Sequence, residues 1–249
     1  MSNNRFVAIW GGGGSGKTTL SIKIAKELAS NKKNVLIIHC DDETPVLPLL
    51  VPVSQCHQSL GDLLNMSNPT QISVLQHCTV YGRSGYISLL GYQLGESAVS
   101  YRQYSEREAK KIFQLCRTIS SVDYILVDCS HHILDNLLTA VALEVADAVI
   151  KVANTNLRST IYLESQRSLL REEKFRYNDH INVLNNVLPN QDTYPYREAL
   201  GGAPYIFNHC PSLENQYHEQ KLLDPLLGKD ARQFEPVMSQ LIKEVFLNE

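Results

Sequence analysis

Nine consecutive residues, Gly11-Gly12-Gly13-Gly14-Ser15-Gly16-Lys17-Thr18-Thr19, constrain this chain more than any other segment. They carry the spacing G-x-x-x-x-G-K-[ST]. The context agrees with the motif. Arg5–Trp10 is a β-rich run, and Thr18–Ser30 repeats apolar residues at Leu20, Ile24, Ala25 and Leu28, which is helix spacing. Strand, glycine loop and helix in that order predict an anion cradle. Glycines let successive backbone N–H groups point inward without Cβ clashes, at the positive end of a helix. Lys17 is expected to reach the β- and γ-phosphates of a nucleotide, and the Thr18 hydroxyl to bind Mg2+. Magnesium suits such a site because it takes few protein ligands and adds substrate phosphates. A glycine-rich turn without a ligand is the bland alternative, and the agreement of motif and context argues against it.

The rest of the chain alternates strand-like and helix-like runs. Val35–Cys40 and Ile87–Gly91 read as strands, Tyr104–Ile119 as a helix, and Tyr124–Asp128 as a strand that ends in a carboxylate. A helix near Ile133–Glu144, a strand at Ala148–Val152, a helix near Ser159–Glu173 and a strand at Ile181–Val187 follow. A last helix is expected to start near Pro236, a residue that suits a first helical turn. Asn190–Gly202, with Pro195, Gly201 and Gly202, reads as a surface loop. This order predicts an α/β fold: a P-loop domain spanning residues 1–249, with a mostly parallel, twisted sheet covered by helices on both faces. At 249 residues and 43% hydrophobic content the chain has enough apolar material for one core.

Composition excludes several classes. No apolar run approaches the ~18 residues of a membrane span. Met1–Arg5 is polar and leads straight into a strand, which does not read as a signal peptide. The six cysteines show no C-x-x-C pair and several lie in apolar runs, as expected of reduced thiols in a cytoplasmic protein. A net charge of -3 argues against non-specific DNA coating, though a local patch is compatible with it.

Nucleotide hydrolysis needs a carboxylate near the metal and a group that orients water. Asp128 closes Tyr124-Ile125-Leu126-Val127-Asp128, and Asp41 closes the run from Val35. Ligand sites in open α/β sheets lie at the carboxyl ends of strands, so both acids are expected beside the glycine loop. Helix capping is the structural alternative for each. Asp42 and Glu43 crowd Asp41.

With these residues in hand, the chain resembles the ParA/MinD group of P-loop ATPases. Val35–Asp41 is similar to the group's switch I strand, which usually ends D-x-D; here His39 replaces the first acid and Asp41 keeps the second. Asp123–Asp128 is similar to its switch II strand, and Ala146–Ile150 to a recurring A-D-x-V-I strand. The resemblance implies that Lys17, Asp41 and Asp128 are catalytic, with Asp41 positioning the attacking water. It implies that Thr18 and Asp128 hold Mg2+, partly through water. It also implies that Asn185, near the end of its strand, contacts adenine; ATP is then favoured over GTP, and no N-K-x-D motif is present. Gly11–Thr19 would cradle the phosphates.

One departure matters. The group's deviant loop carries a signature lysine five residues before the catalytic one, and Gly12 stands there. In the family that lysine crosses a dimer interface to the partner's phosphates. Asn156 falls where MinD-like members carry an acid paired with it, and Arg158 lies two residues on. The pilus-localising TadZ/CpaE branch also contains members without the lysine.

Three features are set beside this reading. His39, Cys40, Cys129, His131 and His132 sit at two strand ends and are of zinc-ligating type, but their spacing matches no standard site. Arg167, Arg171 and Lys174, with Arg176 beyond, read either as a DNA-backbone patch or as a solvated face shared with Glu164, Glu172 and Glu173. Val237, Met238, Leu241, Ile242, Val245 and Phe246 form an apolar stripe like a MinD membrane anchor. The polar side, with Glu235, Glu244 and Glu249 against Lys243, favours packing on the sheet instead. The leading expectation is an ATP-dependent switch, homodimeric with ATP, that positions or assembles a plasmid, pilus or secretion machinery with a protein partner, in the cytoplasm or peripherally at a membrane complex. The alternatives are a metabolic kinase or ligase of similar fold, and a nucleotide-binding scaffold with negligible hydrolysis.

Overall fold

The structure is a computed structural model that describes residues 4–247. Its elements in chain order are β1 (Arg5–Gly11), α1 (Lys17–Ser30), β2 (Val35–His39), α2 (Leu47–Leu50), α3 (Leu60–Asn65), α4 (Gln71–His77), β3 (Thr79–Tyr81) and β4 (Ile87–Leu90). There follow α5 (Glu106–Arg117), β5 (Tyr124–Asp128), α6 (Leu137–Val145), β6 (Ala148–Asn154) and α7 (Leu157–Arg167). The last are β7 (Ile181–Val187), α8 (Tyr194–Leu200), β8 (Tyr205–Asn208), α9 (Pro211–His218) and α10 (Gly228–Ile242). The eight strands form one sheet in the order β3-β4-β2-β5-β1-β6-β7-β8. All neighbours are parallel except the edge strand β3, which runs antiparallel to β4.

Strand periodicity builds the two layers. In β1 the alternate residues Phe6, Ala8 and Trp10 face one core, with α5, α6 and α7. Val7 and Ile9 face the other, with α1 and α10. Both sets are fully buried, which explains why the strand reads as a continuous apolar run rather than an alternation. Phe6 meets Phe113 of α5 edge-to-face at 5.2 Å, a contact worth about 0.5–1.5 kcal/mol beyond its area.

Four expectations are corrected. Asn190–Gly202 is not a bare loop, since it contains α8. Pro195 stands in its first turn and Gly201, at φ 76°, closes it, so these residues punctuate a helix. The last helix starts eight residues before Pro236, at Gly228. Pro236 sits on the solvent side, where water can satisfy the carbonyl its ring leaves unpaired. The helix expected to run to Glu173 ends at Arg167 and gives way to short 3-10 turns, so Arg167, Arg171 and Lys174 do not share one helical face. Arg167 pairs with Glu164, Lys174 with Glu172, and Arg176 donates to the carbonyl of Ala146. Finally, β2 stops at His39, so Asp41 lies in the loop beyond it.

The apolar stripe of α10 and the turn after it packs on the sheet, as its charge pattern favours. Met238, Leu241, Ile242, Val245 and Phe246 are buried, and Phe246 stacks edge-to-face on Tyr124 at 5.6 Å. Glu249 lies outside the described residues. No helix among those described is long and apolar enough to cross a membrane.

Candidate functional site

Strand order places the site. β1 lies at the centre, with β5 on one side and β6 on the other, and the chain leaves its carboxyl end through the glycine loop into α1. Gly11 is required there by space and Gly16 by its left-handed backbone. A Cβ on Gly11 would stand 2.1 Å from the carbonyl of Val152, and one on Gly16, at φ 93°, 2.1 Å from Asn185 Nδ2. No side chain caps α1. Its first amides have no acceptor within the helix and are available to an anion.

Lys17 opens α1 and is buried, with its ammonium donating to the carbonyl of Gly12 at 3.0 Å. Desolvation pushes its pKa below the ordinary lysine value, against the opposing pull of Asp128 and Asp41. A buried cation whose one hydrogen-bond acceptor is a neutral carbonyl is favourable only if an anion joins it.

Thr18 and Asp128 meet beside it. The Thr18 hydroxyl donates to Asp128 Oδ2 at 2.7 Å. The register that aligns Asp128 with Ile9 on one side and His39 on the other brings a third group in. His39 Nδ1 lies 2.9 Å from the same oxygen, and both side chains are almost fully buried. Asp128 Oδ1 and His39 Nε2 are buried with no partner. An orphaned carboxylate oxygen next to a threonine hydroxyl, facing an uncapped helix, fits a magnesium site. His39, where the resembling family has an acid, is thus a buried neighbour of the Asp128 carboxylate.

The cleft at this edge has a volume of about 580 Å³. It is lined by Gly13–Thr19, Asp41 and Asn185, so most of the expected binding residues meet in one place. Gly11 and Gly12 lie buried beneath them. Asp41 Oδ1 accepts from the amides of Glu43 and Thr44 at 3.1 and 2.8 Å, a turn that holds the loop after β2 at the cleft. Asn185 Nδ2 donates to the carbonyl of Ser15 at 3.0 Å and so braces the glycine loop. The pairing of β7 with β8 slips between Leu184 and Val187, and Asn186 takes φ 57°. Such a bulge re-aims side chains next to a site. Asn186 Oδ1 meets His209 Nδ1 at 2.8 Å, and both line the cleft with Leu213 and Tyr217 of α9.

That wall was missed in the sequence. β8 has four residues and α9 eight, too short for periodicity to stand out. The buried Lys23 of α1 anchors it, donating to Gln216 Oε1 at 2.6 Å and to the carbonyls of Leu222 and Asp224 at 2.7 and 2.9 Å.

Other expected residues are dispersed. The ring of Tyr162 covers Gly12, since a Cβ there would lie 3.3 Å from its Cδ1. Asn156 caps α7 by accepting from the Arg158 amide at 2.8 Å, and the Arg158 side chain is exposed. The His/Cys set divides: His39 joins Asp128, Cys40 and Cys129 are buried free thiols, and His131 and His132 remain at the surface of the loop after β5.

The family model described as AAA domain matches residues 5–183. MinD of Aquifex aeolicus, solved as a MinC:MinD cell division protein complex, superposes with a TM-score of 0.76 at 19% identity, covering 98% of each chain. The septum site-determining protein MinD of Pyrococcus horikoshii OT3, complexed with Mg-ADP, gives 0.72 at 16% identity over 98% of each chain. A ParA family ATPase from Chlorobium tepidum TLS gives 0.73 at 15% identity, covering 99% of this chain and all (100%) of the other. None of the curated proteins compared matches the chain.

Proposed function

Because the chain belongs to the AAA-domain family of ParA/MinD-like P-loop ATPases, we propose that it binds and hydrolyses ATP as a molecular switch. Its ATP-bound form pairs with a second copy, engages a protein partner and positions or assembles a macromolecular complex. The observation that carries this reading is the buried Lys17 beside the Thr18–Asp128 hydrogen bond, at the mouth of a nucleotide-sized cleft. In this reading Gly11–Thr19 cradle the phosphates and Lys17 contacts the β- and γ-phosphates. Thr18 and Asp128 hold Mg2+, which when bound neutralises charge on the phosphates. Asn185 fixes the glycine loop and, with Asn186, His209 and Tyr217, borders the adenine. Asp41 orients the attacking water.

Two observations on α7 support the dimer. Leu157 and Ile161, one turn apart, are 69% and 64% exposed, an apolar pair with no cover in the monomer. Arg158 stands between them in the first turn, where a cation opposes the helix dipole unless an anion approaches. Gly12 supplies no cation, and we assign to Arg158 the contact with the partner's γ-phosphate, which guanidinium suits because it stays charged and binds two oxygens at once.

Light scattering is expected to show ATP-dependent doubling of mass, and a monomer at saturating ATP would sink the dimer. Arg158→Ala should lower both dimerisation and turnover; if both match wild type, the contact is not made by Arg158. Asp41→Ala should leave ATP binding largely intact while suppressing phosphate release. Unchanged turnover in that variant would remove Asp41 from the site.

A further inference from the structure

The loops that follow β2 and β5 approach each other outside the Thr18–Asp128 pair. Glu43 comes from the first, His131 and His132 from the second. One carboxylate oxygen and one nitrogen from each imidazole lie within 4.8 Å of one another. Glu43 Oε2 is 3.1 Å from His132 Nε2, and the two rings are 3.8 Å apart between centroids.

The backbone holding these groups is fixed. The Glu43 amide donates to Asp41 Oδ1 at 3.1 Å. The His132 amide donates to Ser130 Oγ at 3.2 Å, and its carbonyl accepts from Asn136 at 3.0 Å. The His131 carbonyl accepts from the Tyr162 hydroxyl at 2.6 Å. Gathering the three donors around an ion therefore requires side-chain rotation and little backbone movement.

We propose that Glu43, His131 and His132 form a binding site for one divalent transition ion of the zinc class, bridging the two loops. Two imidazoles and one carboxylate are a recurring three-ligand set for zinc, with a fourth position left for water. Magnesium prefers oxygen ligands, which the Thr18–Asp128 pair offers, so the two sites sort ions by donor chemistry. His131 and Asp41 both line the nucleotide cleft. An ion tying their loops together restrains the cleft's outer wall and couples metal availability to nucleotide exchange.

The test is calorimetric titration of the metal-free full chain with zinc chloride, without nucleotide, so its outcome is independent of the ATPase reading. One equivalent is expected to bind. Glu43→Gln and His132→Ala should each weaken binding on the order of tenfold or more. Glu43 and His132 side chains are 58% and 38% exposed, so both variants should keep the wild-type unfolding midpoint without metal. Bound Co2+ should lack the charge-transfer absorption of a thiolate ligand. Absence of zinc binding, unchanged affinity in the double variant, or a thiolate band would each overturn the site.

Discussion

Lys17→Ala is expected to weaken ATP·Mg2+ binding well over tenfold, a loss of more than ~1.4 kcal/mol. The structure gives a reason beyond the motif. The ammonium is buried and donates to one carbonyl, that of Gly12. Its desolvation is unrewarded until phosphate oxygens enter, so charge attraction acts at short range with little water between. The same argument predicts an opposite sign for the empty protein. Removing a buried, poorly compensated charge should leave unfolding of the nucleotide-free chain unchanged or raise its midpoint. Calorimetry and thermal unfolding together check this. Equal nucleotide affinity in wild type and variant would remove Lys17 from the phosphate site.

Lys23→Met should have the largest effect on stability, about 3 kcal/mol, or roughly 6–12 °C in midpoint for a chain of this size. It strips the partner from Gln216 Oε1 and from the carbonyls of Leu222 and Asp224, groups that hold the segment after α9 against α1. Desolvation lowers the Lys23 pKa to about 8. As pH rises through that value the folded chain sheds a proton that the unfolded chain keeps up to the ordinary lysine value. The contribution of Lys23 to stability therefore grows across that window, and the gap between wild type and variant should widen. Denaturant unfolding at neutral and alkaline pH measures it. A variant as stable as wild type at both would show that the segment is held by other contacts.

The difference between these lysines shows what pattern reading can reach. Lys17 belongs to a local motif: the phosphate cradle is made by one turn and the start of one helix, so nine consecutive residues carry its geometry. Asp128 was legible because an apolar run that stops in an acid marks a strand's end, and a sheet with buried strands puts such ends together. The central strands and the main helices were found for the same reason. β3, with three residues, and α2, α3 and α4, with four to seven, were missed because none completes two periods. The capping boxes at Ser59 and Thr70 were the available signal for α3 and α4.

Lys23 was not legible at all. On α1 it reads as one polar position among apolar ones, and its acceptors lie 193 to 201 residues away. His39 is a similar case. The sequence shows only that it replaces an acid, while the register of β2 on β5 turns it against Asp128.

Local pattern was enough for the glycine loop, the parallel sheet and the strand end at Asp128, because backbone sterics and strand or helix period act over a few residues. Long-range packing was needed to choose among partners that no period connects. It divided the histidines and cysteines, giving His39 to Asp128 and gathering His131 and His132 with Glu43. It also laid Tyr162 over Gly12 and closed the cleft with α9, contacts that form when separate elements compete for the same buried space.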